Sequence, residues 1–159
     1  MMKQSDLLFA VSVMNAQYAH AIDSDRLEDW PEFFLDKCLY NITSYENQKA
    51  GLETGIVFCD SKGMLKDRVA GLREANIFEG HRYRHFVMMP VAASRDGQLV
   101  RAETPFAVYR VMHDGRTSLF VTGCYMDELV LDSDEALKIA RRTVVLDSSV
   151  IDTLLAIPL

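Results

Sequence analysis

His81 and His85 stand four residues apart with Arg82, Tyr83 and Arg84 between them, and the segment continues as Phe86-Val87-Met88-Met89-Pro90-Val91. Imidazoles move protons or ligate metals near neutral pH, and arginine forks grip carboxylates. On a helix the two histidines would share a face within reach of one metal ion. The segment instead enters a β-type apolar run, where residues four apart share a face at a separation of about 13 Å. One metal cannot span that distance, and a mononuclear iron triad also needs a carboxylate converging on two histidines. Glu79 is near in sequence, but no spacing pattern brings it in. The stretch is either part of a pocket or the polar edge of a contact surface.

Tyr18, Asp23, Tyr40 and His85 form a second possible set, able to move a proton beside a carbonyl or hydroxyl if a fold brings them together. The plainer alternative has both tyrosines packing as core aromatics, Asp23 capping a helix and His85 satisfying a backbone carbonyl. Arg82 and Arg84, with Arg68 and Arg73 upstream, could bind a carboxylate on a ligand or on a partner protein. Interfaces favour arginine and tyrosine over lysine, but intrachain ion pairs on a solvated surface would use the same residues. His20 and His113 stand alone. Cys38, Cys59 and Cys124 are too widely separated for a zinc site or a Rieske cluster and read as buried reduced thiols. Gly51, Gly55 and Gly63 match no phosphate-binding pattern.

These residues need elements to hold them. Leu8, Val11, Met14, Tyr18 and Ile22 recur at three- and four-residue intervals, which predicts a helix over 5–22 with Ser5 as N-cap. A short second helix carries Leu27, Trp30, Phe33 and Phe34, with Pro31 requiring either a first-turn position or a break. A strand over 38–45 follows, then an exposed loop over 46–54, a brief apolar run over 55–59 and a third helix capped by Asp60 or Ser61. In that helix Met64, Leu65, Arg68, Val69 and Leu72 define the buried side. Beyond Gly80 the pattern turns to β. Asp96-Gly97 and Asp114-Gly115 supply the positive φ angles of tight hairpins and predict a meander with strands over 84–94, 98–112, 117–131 and 136–146. Pro105 should mark a bulge or an edge. The apolar tail 147–159 should pack against this or another chain.

At 159 residues, nearly half hydrophobic and a quarter charged, the chain suits one globular domain over 1–159. A net charge of −6 and a pI near 5.2 disfavour a nucleic-acid surface. Met1-Met2-Lys3-Gln4 leads straight into the first helical pattern and no run reaches the roughly 18 apolar residues of a membrane span, so a cytoplasmic protein is expected. Three helices followed by a long antiparallel sheet make an α+β layer fold, with a strongly bent sheet wrapping the helices into a cone.

Taken in order, Tyr18, Asp23, Trp30-Pro31-Glu32-Phe33-Phe34, Cys38-Leu39-Tyr40, Gly63-Met64-Leu65-Lys66-Asp67-Arg68, Leu72-Arg73-Glu74-Ala75-Asn76-Ile77-Phe78, His81-Arg82-Tyr83-Arg84-His85 and the ending Asp147 to Leu155 resemble one known family. It is the small (beta) subunit of Rieske-type aromatic-ring-hydroxylating oxygenases. The likeness is greatest to those serving aromatic carboxylates, the salicylate 5-hydroxylase type and then the terephthalate dioxygenase type. The resemblance implies a cone of the nuclear-transport-factor-2 (cystatin-like) kind and a non-catalytic role in aromatic catabolism. Two further copies of the chain and three large subunits would complete an alpha3beta3 hexamer with a trimeric small-subunit base. The Rieske [2Fe-2S] cluster and the mononuclear non-haem iron would lie in the large subunit, with none in this chain, and a ferredoxin and reductase would act indirectly. On this reading His81, Arg82, Tyr83, Arg84, His85, Arg68, Arg73, Trp30 and Leu159 are the expected subunit contacts. The alternative is a free-standing isomerase or dehydratase of the same fold using Asp23, Tyr40 and His85.

Overall fold

The computed structural model describes residues 2–52, 55–75, 80–152 and 155–159. Glu79, the Asn76-Ile77-Phe78 run and Thr153-Leu154 fall outside them. Helix α1 (Gln4–Asp23) is followed by a 3₁₀ turn (Trp30–Phe33), β1 (Phe34–Ser44), a short α2 (Tyr45–Lys49), β2 (Val57–Cys59) and α3 (Lys62–Ala75). The remaining strands are β3 (His81–Val87), β4 (Ala92–Asp96), β5 (Leu99–Met112), β6 (Thr117–Leu131) and β7 (Leu137–Leu146).

All seven strands form one mostly antiparallel sheet in the order β2-β1-β7-β6-β5-β3, with β4 also paired to β5. Among the described residues only β1 and β7 run parallel. The sheet curls around α1, whose stripe Leu7, Val11, Met14, Tyr18 and Ile22 enters the core with Trp30, Phe34, Tyr40, Tyr125 and Leu129. Gly97 and Gly115 adopt φ of +60° and +90° at the two Asp-Gly hairpins, as a tight antiparallel return requires.

Several boundaries differ from expectation for local reasons. The N-cap of α1 is Lys3, whose backbone N–H is met by the Asp6 carboxylate at 3.4 Å, and the buried residue at the start of the stripe is Leu7 rather than Leu8. The second helix is one 3₁₀ turn with Pro31 near its start, and Phe34 already belongs to β1. Residues 45–49, expected at a strand end and in a loop, form α2 because the Ser44 hydroxyl caps the Asn47 N–H at 3.2 Å. Ser61 caps α3 through the Met64 N–H, and Met64 itself stays exposed. The strand expected over 84–94 is two strands separated at Met88 to Val91, around Pro90. Pro105 sits where β5 changes its outer neighbour from β3, ending at the Val87–Phe106 pair, to β4, starting at Ala92–Glu103. Its carbonyl accepts the Met88 N–H at 3.0 Å, and its missing N–H falls in the gap between the two strands.

Candidate functional site

Strand β3 sorts its side chains by alternation. Tyr83 and His85 turn inward and are buried, while Arg82, Arg84 and Phe86 turn outward and are exposed. His81 is half-buried and its ring lies 5.3 Å from that of Tyr83, which in turn lies 6.2 Å from His85. The two histidines are thus separated along the strand by an aromatic ring. No group of three or more His, Cys, Asp or Glu among the described residues could hold a metal ion.

His85 meets Asp23 at the end of α1. The imidazole Nδ1–H donates to Asp23 Oδ1 at 2.7 Å, and the backbone N–H of His85 donates to Asp23 Oδ2 at 2.8 Å. Both side chains are almost fully buried. The carboxylate accepts two hydrogen bonds and fixes the imidazole orientation, leaving His85 Nε2 buried without a hydrogen-bond partner. Neither residue does what the plainer sequence alternative had it do: Asp23 accepts from a buried strand N–H rather than capping its own helix, and His85 faces a carboxylate rather than a carbonyl.

The two tyrosines belong to a different cluster. Tyr18 OH donates to the Leu159 carbonyl at 2.8 Å and accepts from Trp30 Nε1 at 3.0 Å. Tyr40 OH donates to the same carbonyl at 2.9 Å and accepts the Leu159 N–H at 3.0 Å. Burial raises the pKa of both phenols, Tyr40 well above the ordinary tyrosine value, so neither exchanges a proton readily near neutral pH. The Asp23, Tyr40 and His85 set is therefore not assembled: Asp23 and His85 pair, while the Tyr40 hydroxyl is engaged by the chain's own tail. Leu155, Ala156 and Leu159 of that tail are all buried.

Four arginines expected to act together divide into two kinds. Arg73 pairs with both oxygens of Glu28 at 2.7 and 2.9 Å and with Asp25 at 2.8 Å, and Arg68 donates to the Leu155 carbonyl. Both tie the chain to itself, and hydrogen bonding from Arg73 holds the Glu28 carboxyl at about 2. Arg82 and Arg84 enter no ion pair among the described residues. Trp30 and Leu159 are 0% exposed and Tyr83 is 1% exposed, so the folded monomer presents none of these three side chains at its surface. Packing explains this, since Trp30 meets Phe34 and Tyr40 edge-on at 5.7 and 5.1 Å.

Sequence reasoning passed over two features. Arg142 on β7 is fully buried, donating from Nε and Nη2 to Asp127 at 2.8 Å each and lying 4.3 and 4.0 Å from the Tyr18 and Tyr125 ring centroids. Burial opposes its charge, but the Asp127 carboxylate outweighs that and raises its pKa. Asp127 and Arg142 are direct cross-strand partners only through a register shift between Glu128 and Leu129; counting back from the Leu131–Leu137 pair at the turn would set Asp127 opposite Arg141, so strand pattern alone does not give the pair. The second feature is a groove of about 780 Å³ between α1 and the β3 edge, lined by Phe9, Ser12, Ala16, Arg84, Phe86, Met88 and Met89 among others. Phe9 is 65% exposed, Phe86 57%, Met88 62% and Met89 60%, a large apolar exposure for one surface region. Its parts come from residues that local periodicity assigns to separate elements.

The family model described as the ring hydroxylating beta subunit matches residues 17–153. Subunit beta 1 of the terminal oxygenase component of terephthalate 1,2-dioxygenase from a Comamonas species is 46% identical over 149 residues, 94% of this chain and 96% of the relative. The small subunit of anthranilate 1,2-dioxygenase from Burkholderia cepacia is 38% identical over 152 residues, 95% of this chain and 93% of the relative. Among solved structures, a chain assigned as the beta subunit of an aromatic-ring-hydroxylating dioxygenase from Novosphingobium aromaticivorans superposes with a TM-score of 0.85. It is 40% identical and the match covers 94% of this chain and 95% of that one.

Proposed function

Since this chain belongs to the ring hydroxylating beta subunit family and is a small subunit of an aromatic-ring-hydroxylating dioxygenase with a nuclear-transport-factor-2-like α+β fold, we propose that it is a non-catalytic scaffold for that oxidoreductase. In this role three copies form a base that carries three catalytic large subunits, each with its own Rieske cluster and mononuclear iron, served by a ferredoxin and reductase. The observation that carries the scaffold reading is the filling of the cone. In an enzyme of this shape the interior would have to admit substrate, whereas here the Leu159 backbone occupies the hydroxyls of Tyr18 and Tyr40.

Among the described residues the donors of this chain fit neither iron group, since no three His, Cys, Asp or Glu come together. Its three cysteines are free thiols, and burial pushes Cys38 and Cys124 up to about 11, whereas a metal-binding thiol is held as the thiolate. An aromatic carboxylate is the proposed substrate of the assembled oxygenase. Terephthalate and anthranilate, named for the two relatives, are both of that class, and the 46% identity to the terephthalate subunit favours that type over the salicylate 5-hydroxylase type. Expressed alone, the chain should contain no iron, show no visible absorbance and turn nothing over. Coexpressed with its large subunit it should yield a stable complex with equal numbers of both chains. Bound iron or turnover in the pure small subunit would overturn the scaffold role.

A further inference from the structure

The groove beside β3 has the chemistry of a docking site for an extended segment. β3 is the last strand of the sheet order, and among the described residues no strand pairs with its outer edge. The Met88 N–H points inward to Pro105, whereas the His85 N–H points away from β5 to Asp23. Backbone groups alternate along a strand, so the His85 carbonyl and the Val87 N–H also face outward, into the groove. Phe9 on one wall and Phe86, Met88 and Met89 on the other offer apolar contact on either side of that edge. An edge with open backbone groups and alternating side-chain pockets accepts a further strand.

Charge decides the occupant. Arg84 lines the groove and Arg82 stands two residues along the same outward face, neither with an ion-pair partner among the described residues. Asp23, the one acidic residue in the lining, is already committed to His85. A second copy pairing edge to edge through β3 would set these arginines against their own counterparts, a like-charge arrangement that disfavours pairing. The other end of the sheet, β2, is only three residues long and could not run along the groove. A segment carrying aliphatic or aromatic side chains with at least one carboxylate meets both the apolar walls and the arginines.

We propose that the groove between α1 and β3 receives an extended, acidic and apolar segment of the large subunit, pairing with the Val87 N–H and closing an ion pair with Arg84. This rests on the oxygenase-subunit reading above and names the surface through which that partner is held. The combination of exposed aromatics, methionines and an arginine is the composition of an interface centre rather than of a solvated face.

The test coexpresses the full small subunit with its affinity-tagged large subunit. Val87→Pro removes the outward N–H at an edge position that tolerates proline, and Phe9→Asp and Met89→Asp alter exposed walls of the groove without touching the core. Each should lower the co-purified small subunit about tenfold or more, while circular dichroism and small-subunit self-association stay as in the wild type. If Val87→Pro does not fold, the two aspartate variants decide alone. Undiminished co-purification of folded variants, with the wild type binding, would overturn the groove assignment. Loss of self-association with large-subunit binding retained would assign the groove to a second copy and equally overturn it. A wild type that never binds its large subunit would refute the underlying subunit reading itself.

Discussion

Replacing Tyr40 with Phe probes the closure of the cone directly. The ring would remain among Trp30 and Phe34, so packing is conserved and only the hydroxyl is lost. That hydroxyl makes two contacts with one residue, donating to the Leu159 carbonyl and accepting the Leu159 N–H. The carbonyl keeps Tyr18 as a donor. The N–H is left buried without its acceptor, and an orphaned buried donor costs about 1–3 kcal/mol. For a domain of this size each kcal/mol moves the unfolding midpoint by roughly 2–4 °C, so a cost near 2 kcal/mol predicts a fall of about 4–8 °C. Thermal unfolding by circular dichroism reads it, with Tyr45→Phe as the control because Tyr45 is 57% exposed and should change stability by less than about 0.5 kcal/mol. If Tyr40→Phe melts with the wild type, the tail is not held in the cone as described. The closed interior would then lose its force as the support for a scaffold.

Two further outcomes follow from ion pairs of opposite character. Arg142→Met leaves Asp127 buried without its partner and should destabilise the fold by about 3–5 kcal/mol in urea titrations, whereas adding Asp127→Leu should recover much of that loss. An unrecovered double variant would show that packing around Arg142 matters more than its charge. Arg73→Gln tests a surface pair. The Glu28 carboxyl is depressed from 4.5 to about 2 by Arg73, so the pair's contribution is present above about pH 4.5 and is lost as pH falls through about 2. The stability gap between wild type and variant should therefore be small at neutral pH, since these side chains are substantially exposed, and should close on acidification over that window. A gap that widens in acid would refute the assignment.

Much of the fold is legible from local pattern. The four-three spacing of α1, the two Asp-Gly returns and the long alternating runs of β5 and β6 each follow from backbone geometry that nearby residues impose. The same alternation predicts that Arg82 and Arg84 share one face of β3 and Tyr83 and His85 the other. The order of motifs along the chain points to the family before any contact is known.

Local pattern does not say which face of β3 looks into the cone or what waits there. Asp23 and His85 are 62 residues apart and Tyr40 and Leu159 are 119 apart, and only the curl of the sheet and the return of the tail bring each pair together. Four arginines look alike as letters, yet acidic or carbonyl partners far along the chain consume Arg68 and Arg73, while Arg82 and Arg84 enter no ion pair among the described residues. Side-chain periods are set within a few residues by backbone dihedrals, so the sequence by itself determined the elements and the type of fold. Whether a polar group is spent or available depends on long-range partners and burial, and that was decided by the tertiary structure alone.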